Sequence, residues 1–285
     1  MIIATTVLHP PAALVAYARG RAAALGLPFR ERLPNFEAMK CHEDEVFLVY
    51  GKKGPMLTDG IPVPDGVHVH DFHIGTAKLR LLALSRGGHD RLCDLLPKHC
   101  KTVLDATFGE GKDSLVLSYA LGMCGQVTAL EKSSALWEIG RWGLDHFQSE
   151  EPRLTAALRR IQLFRADFKT FLRQAQSQAF DAVYFDTMFR KPVKEEENNR
   201  DAFRSGACYD RLDVATLREA MRVARYRVIV KERPFSVLFK NGLFGEVHHK
   251  RGQTTAYGVI DVSHEKRDED GNVKSDAPGS FPPHI

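Results

Sequence analysis

The run Lys101–Glu131, KTVLDATFGEGKDSLVLSYALGMCGQVTALE, decides the fold of this chain. Thr102 to Thr107 is a short apolar run that ends in Asp105-Ala106-Thr107. Gly109 and Gly111 follow, where a backbone must turn sharply and leave room for something to approach it. Asp113 and Ser114 suit the start of a helix carrying Leu115, Val116, Leu117, Tyr119 and Leu121, with Gly122 as its C-terminal cap. Gln126 to Leu130 reads as a second strand closed by Glu131. The whole predicts one strand–helix–strand unit with a nucleotide-binding turn and an acidic residue after the second strand.

The residues of the turn discriminate between nucleotides. A dinucleotide pattern GxGxxG puts its third glycine at position 114, and this chain has Ser114. Asp105 at the end of the first strand would face the pyrophosphate of NAD, and like charges in a shielded cleft repel strongly. S-adenosylmethionine carries no phosphate, and its ammonium and sulfonium favour a carboxylate there. Glu131 suits either ligand, because both present a ribose diol. Gly109 and Gly111 alone specify only a tight turn; with Asp105 and Glu131 they favour S-adenosylmethionine as cofactor over NAD.

The strand–helix alternation continues downstream. Helices are expected at Ser134–Phe147, Phe168–Gln176 and Asp213–Ala224, with a short one at Phe235–Asn241. Strands are expected at Ile161–Asp167, Ala182–Phe185 and Arg225–Lys231, then an antiparallel pair at Val247–His249 and Ala256–Val262. This order predicts an α/β fold with a doubly wound, mostly parallel sheet over residues 71–262. Upstream, Met1–Thr6, a helix Ala12–Leu25, and paired strands Glu45–Gly51 and Gly54–Thr58 suggest a small α/β subdomain over residues 1–70. Pro62, Pro64 and Gly66 are read as its junction with the larger domain. Two helices, Ala77–Leu84 with a basic face of Lys78 and Arg80, and His89–Leu96, lead into the large sheet. Residues 263–285 lack apolar periodicity and are expected to be mobile.

Composition excludes several classes. A net charge of +4 permits an RNA partner without requiring one. Five scattered cysteines with no CxxC pair argue against a disulfide framework or zinc site. His68, His70 and His73 alternate on what reads as an exposed strand with no further ligand cluster, so no metal is expected. No secretory signal or membrane span is recognisable, and a cytoplasmic location is expected.

In a doubly wound sheet ligands bind at the carboxyl ends of the strands, and four acidic residues mark those ends: Asp105, Glu131, Asp167 and Asp186. Each alone is an ordinary cap or turn residue. Together they predict Asp105 near the methionine ammonium, Glu131 on the ribose, Asp167 on the adenine amine and Asp186 facing the methyl acceptor. Asp186-Thr187-Met188-Phe189 resembles the D/N-P-P-Y/F motif of methyltransferases that modify exocyclic base amines. Such an amine is a poor nucleophile because its lone pair is delocalised, and a carboxylate accepting its N–H helps localise charge on nitrogen. Phe189 is either a stacking face for an extruded base or a core residue under the loop. The segment after it is rich in both charges, and Lys191, Lys194 and Arg200 are candidate phosphate contacts on a substrate-facing lid.

FHIG (Phe72 to Gly75), LDATFGEGKDSLVLSYALG, LEK, FRAD and DAVYFDTMF are similar, in order and spacing, to the RsmJ-type methyltransferases. The resemblance covers about Phe72 to Lys240 and includes uncharacterised bacterial relatives of that family. It implies methylation of guanine N2 in small-subunit ribosomal RNA. It also implies cofactor contacts at Lys112, Asp113, Glu131, Lys132, Ala166, Asp167 and Asp186. Thr187 departs from the family's DPMF, which bears on the acceptor atom and leaves the cofactor reading intact. Alternatives are a methyltransferase acting on another RNA position or a small molecule, and a non-catalytic RNA-binding module on the same fold.

Overall fold

Four strands in two stretches of the first 70 residues build the smaller sheet: β1 (Ile2–Thr6), β2 (Val46–Gly51), β3 (Gly54–Val63) and β4 (Gly66–His70). The computed structural model describes residues 1–63, 66–186 and 212–262. The expected lid contacts and Phe189, and the tail 263–285, lie outside the described residues. β1 runs parallel to β2, while β2–β3 and β3–β4 are antiparallel. Helix α1 (Ala12–Leu25) connects β1 to this sheet and stops at Gly26, whose left-handed φ of 69° suits a C-terminal cap. A short helix α2 (Phe36–Met39) follows, with the Asn35 side chain accepting from the Glu37 N–H.

Pro62 and Gly66 correct the expected junction. Pro62 pairs with Val67 and Val63 with Gly66, so they belong to the β3–β4 hairpin rather than to a linker. The next expected helix, at His89–Leu96, also gives way. After α3 (Ala77–Ser85) only a 3-10 turn, Cys93–Leu95, forms. Asp90 draws the chain in by accepting from the Leu92 and Cys93 N–H groups, and Pro97 closes the stretch.

The second sheet contains β5 (Thr102–Asp105), β6 (Gln126–Glu131), β7 (Ile161–Arg165), β8 (Phe180–Asp186), β9 (Ala224–Glu232), β10 (Glu246–His249) and β11 (Ala256–Asp261). Its order is β10-β11-β9-β8-β5-β6-β7. The strands from β9 to β7 are parallel, and β11 is antiparallel to both its neighbours, as the alternation predicts. β8 and the central strands are almost wholly buried, because helices cover both faces. The helices are α4 (Lys112–Leu121), α5 (Ser134–His146), α6 (Pro152–Arg159), α7 (Phe168–Gln174) and α8 (Val214–Val223). α6 was not expected; Pro152 at its first turn is the signal that marks it. One core joins α3, α4 and α6 to the sheet through Leu81, Leu115, Leu117 and Leu158, and the other joins α7 and α8 through Leu172 and Leu217. β5 lies between β6 and β8, the point where successive strands diverge to opposite sides and open a crevice at their carboxyl ends.

Helix α5 also forms part of the core beneath the smaller sheet, through Ala135, Leu136 and Ile139. Glu138 on the same helix is fully buried and receives both nitrogens of Arg21, at 2.9 and 2.7 Å. Gly143 faces the Phe72 ring so closely that a Cβ there would lie 1.9 Å from it. Gly143→Ala should therefore force the two sheets apart and cost about 1–3 kcal/mol, as overpacking does. Thermal unfolding checks this, and an unchanged midpoint would show that Phe72 moves freely.

Candidate functional site

The turn between β5 and α4 is held from below. Gly109 and Gly111 take positive φ values of 54° and 73°. A Cβ on Gly111 would stand 2.4 Å from the Phe108 ring, which is buried in the core and anchors the turn. Asp105 is only 1% exposed. Its oxygens accept from the Thr107 N–H at 3.0 Å and the Ser114 hydroxyl at 2.5 Å, so the carboxylate shapes the turn from inside rather than facing an open cleft. Ser114, which breaks the dinucleotide pattern, is thus the partner of Asp105.

Glu131 fastens the turn to the end of β6. It accepts from the Gly109 N–H at 3.0 Å, from the Ser133 N–H at 2.7 Å and also from the Lys132 N–H. The carboxylate keeps further acceptor capacity. Beside it, Lys132 pairs with Asp167 at 3.0 Å, and the Ala166 N–H donates to the Glu131 carbonyl at 3.0 Å. Asp167 also caps α7 by accepting from the Thr170 N–H. The structure therefore brings Glu131, Lys132, Ala166 and Asp167 together on one rim.

Asp113 turns the other way. It accepts from the Tyr184 hydroxyl at 2.7 Å and from Lys231 at 3.0 Å, and it pairs with Arg80, which also grips Asp90. Lys231 reaches on to Asp186 at 2.7 Å, and the Asp186 N–H donates to the Thr107 hydroxyl at 2.6 Å. Asp186 keeps about a third of its side chain exposed, at 32%. Arg80, Thr107, Tyr184 and Lys231 escaped the sequence reading. Arg80 looked like part of a solvated basic face, and the only signal for Lys231 was a charged pair ending an apolar strand. The β8–β9 register, which sets Asp186 opposite Lys231, is a tertiary fact.

The charges respond to this packing. Burial pushes the Asp105 carboxyl from 3.8 to about 7, against the hydrogen bonds from Ser114 and Thr107. Burial likewise pushes Glu131 from 4.5 to about 7, against its backbone donors. Burial alone would raise Asp113, but Lys231 and Arg80 hold it well below the usual carboxylate range. Asp186 is raised by burial, and Lys231 opposes the rise. Lys231 in turn stays firmly charged, since the two carboxylates outweigh its desolvation.

The histidine strand differs from the expected exposed one. His70 is buried, and burial lowers it to about 4. Glu110 from the glycine turn joins it: ligand atoms of His70, His73 and Glu110 lie within 4.8 Å of one another. Lys112 already brings an ammonium to this cluster, 2.6 Å from Glu110.

Comparison with known proteins identifies the family. The model of the family described as "Putative SAM-dependent methyltransferase" matches residues 36–251. The chain belongs to that family. Its cofactor is S-adenosylmethionine and its activity is methyl transfer. An uncharacterised protein of Bacillus subtilis, YpiP, is 32% identical over 193 residues, which cover 67% of this chain and 74% of that protein. "Ribosomal RNA small subunit methyltransferase J" of Cellvibrio japonicus is 31% identical over 166 residues, covering 55% of this chain and 60% of its own length. The crystal structure of the SAM-dependent methyltransferase NGO1261 of Neisseria gonorrhoeae matches 92% of this chain and 96% of its own at 18% identity. Its TM-score of 0.52 supports the shared fold.

The site of this methyltransferase fits its cofactor on two observations. The turn at Gly109 and Gly111 takes positive φ at two positions without a side chain, and the Glu131 carboxylate at the end of β6 stands against it, bonded to the Gly109 N–H. The raised pKa of Glu131 has a sign that experiment can read. Protons that the folded chain keeps up to about pH 7 are released by the unfolded chain near 4.5, so this group's contribution to stability is full below 4.5 and lost as pH rises through 7. In the cofactor-free enzyme, wild type should therefore lose more stability than Glu131→Gln between pH 5 and 7.5, measured by urea denaturation. Equal losses would mean that Glu131 ionises normally.

A second expectation concerns Lys231. Lys231→Met should destabilise the fold by roughly 3–5 kcal/mol, the cost of stranding buried partner charges. Adding Asp186→Asn should restore part of that loss, and strictly additive losses would show that the two groups are uncoupled.

Proposed function

We propose that this methyltransferase modifies an exocyclic amine of a nucleobase in RNA, with guanine N2 of small-subunit ribosomal RNA as its substrate. The carrying observation is Asp186: a partly exposed carboxylate at the end of β8, gripped by Lys231 and fixed through its backbone to Thr107 of the cofactor turn. The name of the Cellvibrio japonicus relative, a small-subunit ribosomal RNA methyltransferase, supports the substrate class.

Each residue then has a definite task. Glu131 accepts from the ribose diol, Asp167 from the adenine amine, and Gly109 and Gly111 admit the cofactor close to the backbone. Lys112 and Lys132 lie at the two sides of that cleft, on Glu110 and Asp167. Bound S-adenosylmethionine supplies an electrophilic methyl group on a sulfonium. Asp186 accepts one N–H of the acceptor amine through its exposed side, which draws the nitrogen lone pair out of conjugation as the new bond forms. Lys231 fixes Oδ2 of Asp186, so the carboxylate cannot swing away from the acceptor. Burial raises the proton affinity of Asp186, which suits a group that takes on a proton as the amine is methylated.

Asp186→Asn should lower turnover about 100-fold or more, because a neutral amide does not stabilise the charge developing on nitrogen. Its cofactor affinity should change far less. Mass spectrometry of small-subunit rRNA nucleosides from a deletion strain tests the substrate directly. N2-methylguanosine should fall, return with the wild-type gene and stay low with Asp186→Asn; an unchanged nucleoside profile would falsify the rRNA reading.

A further inference from the structure

β9 leaves Lys231 beside Asp186, and the chain then runs across the top of the sheet into a segment with an unusual surface. Phe235 is 87% exposed and Val237 is 81% exposed, and no other large apolar side chain among the described residues is as exposed as Phe235. Phe235 and Val237 together make a small apolar patch that a bound partner would cover.

The support beneath it is firm. The expected helix at Phe235–Asn241 is a 3-10 turn, Val237–Lys240, started by the Ser236 side chain accepting from the Leu238 N–H. Phe239 at that turn packs edge-on against Phe244, with ring centroids 5.2 Å apart. Both rings lie over Gly258 of β11, where a Cβ would come within 2.5 Å of Phe239 and 2.6 Å of Phe244. Phe235 itself meets His249 of β10, centroid to centroid at 6.2 Å and 61°. The ring therefore stands on a scaffold tied to the sheet.

Its surroundings are basic. From Lys231 to Gln253 the sequence has five Lys or Arg against two Glu. Both acids are engaged, Glu232 by the Arg233 N–H and Glu246 by His248. Lys240, Lys250 and Arg251 are exposed. A flat aromatic face with exposed cations along the same stretch of chain matches a nucleobase with its phosphates. A protein-docking face would offer a broader apolar area and fewer like charges.

We propose that Phe235, flanked by His249, is a stacking platform for an unpaired RNA base next to the one being methylated. Three residues separate Phe235 from Lys231, a backbone span of at most ~14 Å, which brings the ring within the range of a nucleotide flanking the acceptor. Lys240, Lys250 and Arg251 contact the adjoining phosphates. The platform rests on the reading of RNA as substrate and adds where the strand lies.

The experiment uses the full chain and a short fluorescein-labelled oligouridylate, with cofactor binding measured in parallel by calorimetry. Phe235→Ala should weaken oligonucleotide binding roughly 5- to 100-fold, the loss that one base–aromatic stack produces, and leave cofactor affinity unchanged. Phe235→Trp should keep the affinity and show indole fluorescence quenched by the oligonucleotide. Equal affinity in wild type and Phe235→Ala overturns the platform. So does a wild-type chain that ignores the oligonucleotide, which would assign the patch to a protein partner. Loss of binding in Phe235→Ala alongside an unchanged rRNA profile in the deletion strain would retain the platform and reject the ribosomal target.

Discussion

Two cations, Arg80 and Lys231, bridge three carboxylates in a space with little water, and the crevice depends on that arrangement. Asp90, Asp113 and Asp186 approach from separate elements, and their charges would repel strongly if left alone in a low-dielectric interior. Arg80 spans Asp90 and Asp113, and Lys231 spans Asp113 and Asp186. The chain of contacts links α3, α4, β8 and β9 at the carboxyl end of the sheet. Buried ion pairs add little net stability compared with apolar packing, but they are costly to break singly. Their effect here is to set geometry: the Asp186 carboxylate is fixed relative to the glycine turn.

The smaller sheet is tied to this arrangement rather than appended to it. Its core includes residues of α5, and Glu138 of α5 takes a bidentate contact from Arg21 of α1. The chain leaving β4 carries His70 and His73 to Glu110, and Gly75 admits Lys112 against its backbone, where a Cβ would lie 2.8 Å from the lysine chain. The segment between the two sheets thus lines the outer side of the glycine turn.

The doubly wound fold sets a place for a ligand without choosing the chemistry. The family supplies the cofactor. Asp105 lies at the strand end, where a cofactor contact is expected, and its oxygens also accept from Thr107 and Ser114 of the turn itself. Asp113, similarly, is engaged by Tyr184, Lys231 and Arg80. Glu131 and Asp186 close β6 and β8, and Asp167 follows β7 as the cap of α7.

The strand–turn–helix–strand unit, the order of the remaining elements and the acidic strand ends were legible in the sequence because they depend on local pattern. Apolar runs of strand length, the positive-φ glycines and helix caps such as Asp167 and Asp213 act within a few residues of themselves. Local pattern misled where a short polar group competed with it: Asp90 reduced an expected helix to a turn, and Pro62 read as a linker within a hairpin. The partners of Asp113 and Asp186 were not legible, since Arg80 and Lys231 are 33 and 45 residues away from them in the chain. Nor was the burial of His70, or the approach of Glu110 to it. Which side chains share a desolvated space depends on strand register and helix packing, and only the tertiary structure decides that. The sequence by itself determined that a glycine turn between strand and helix exists and where it falls; the tertiary structure decided which of the charges around it pair with one another inside the fold.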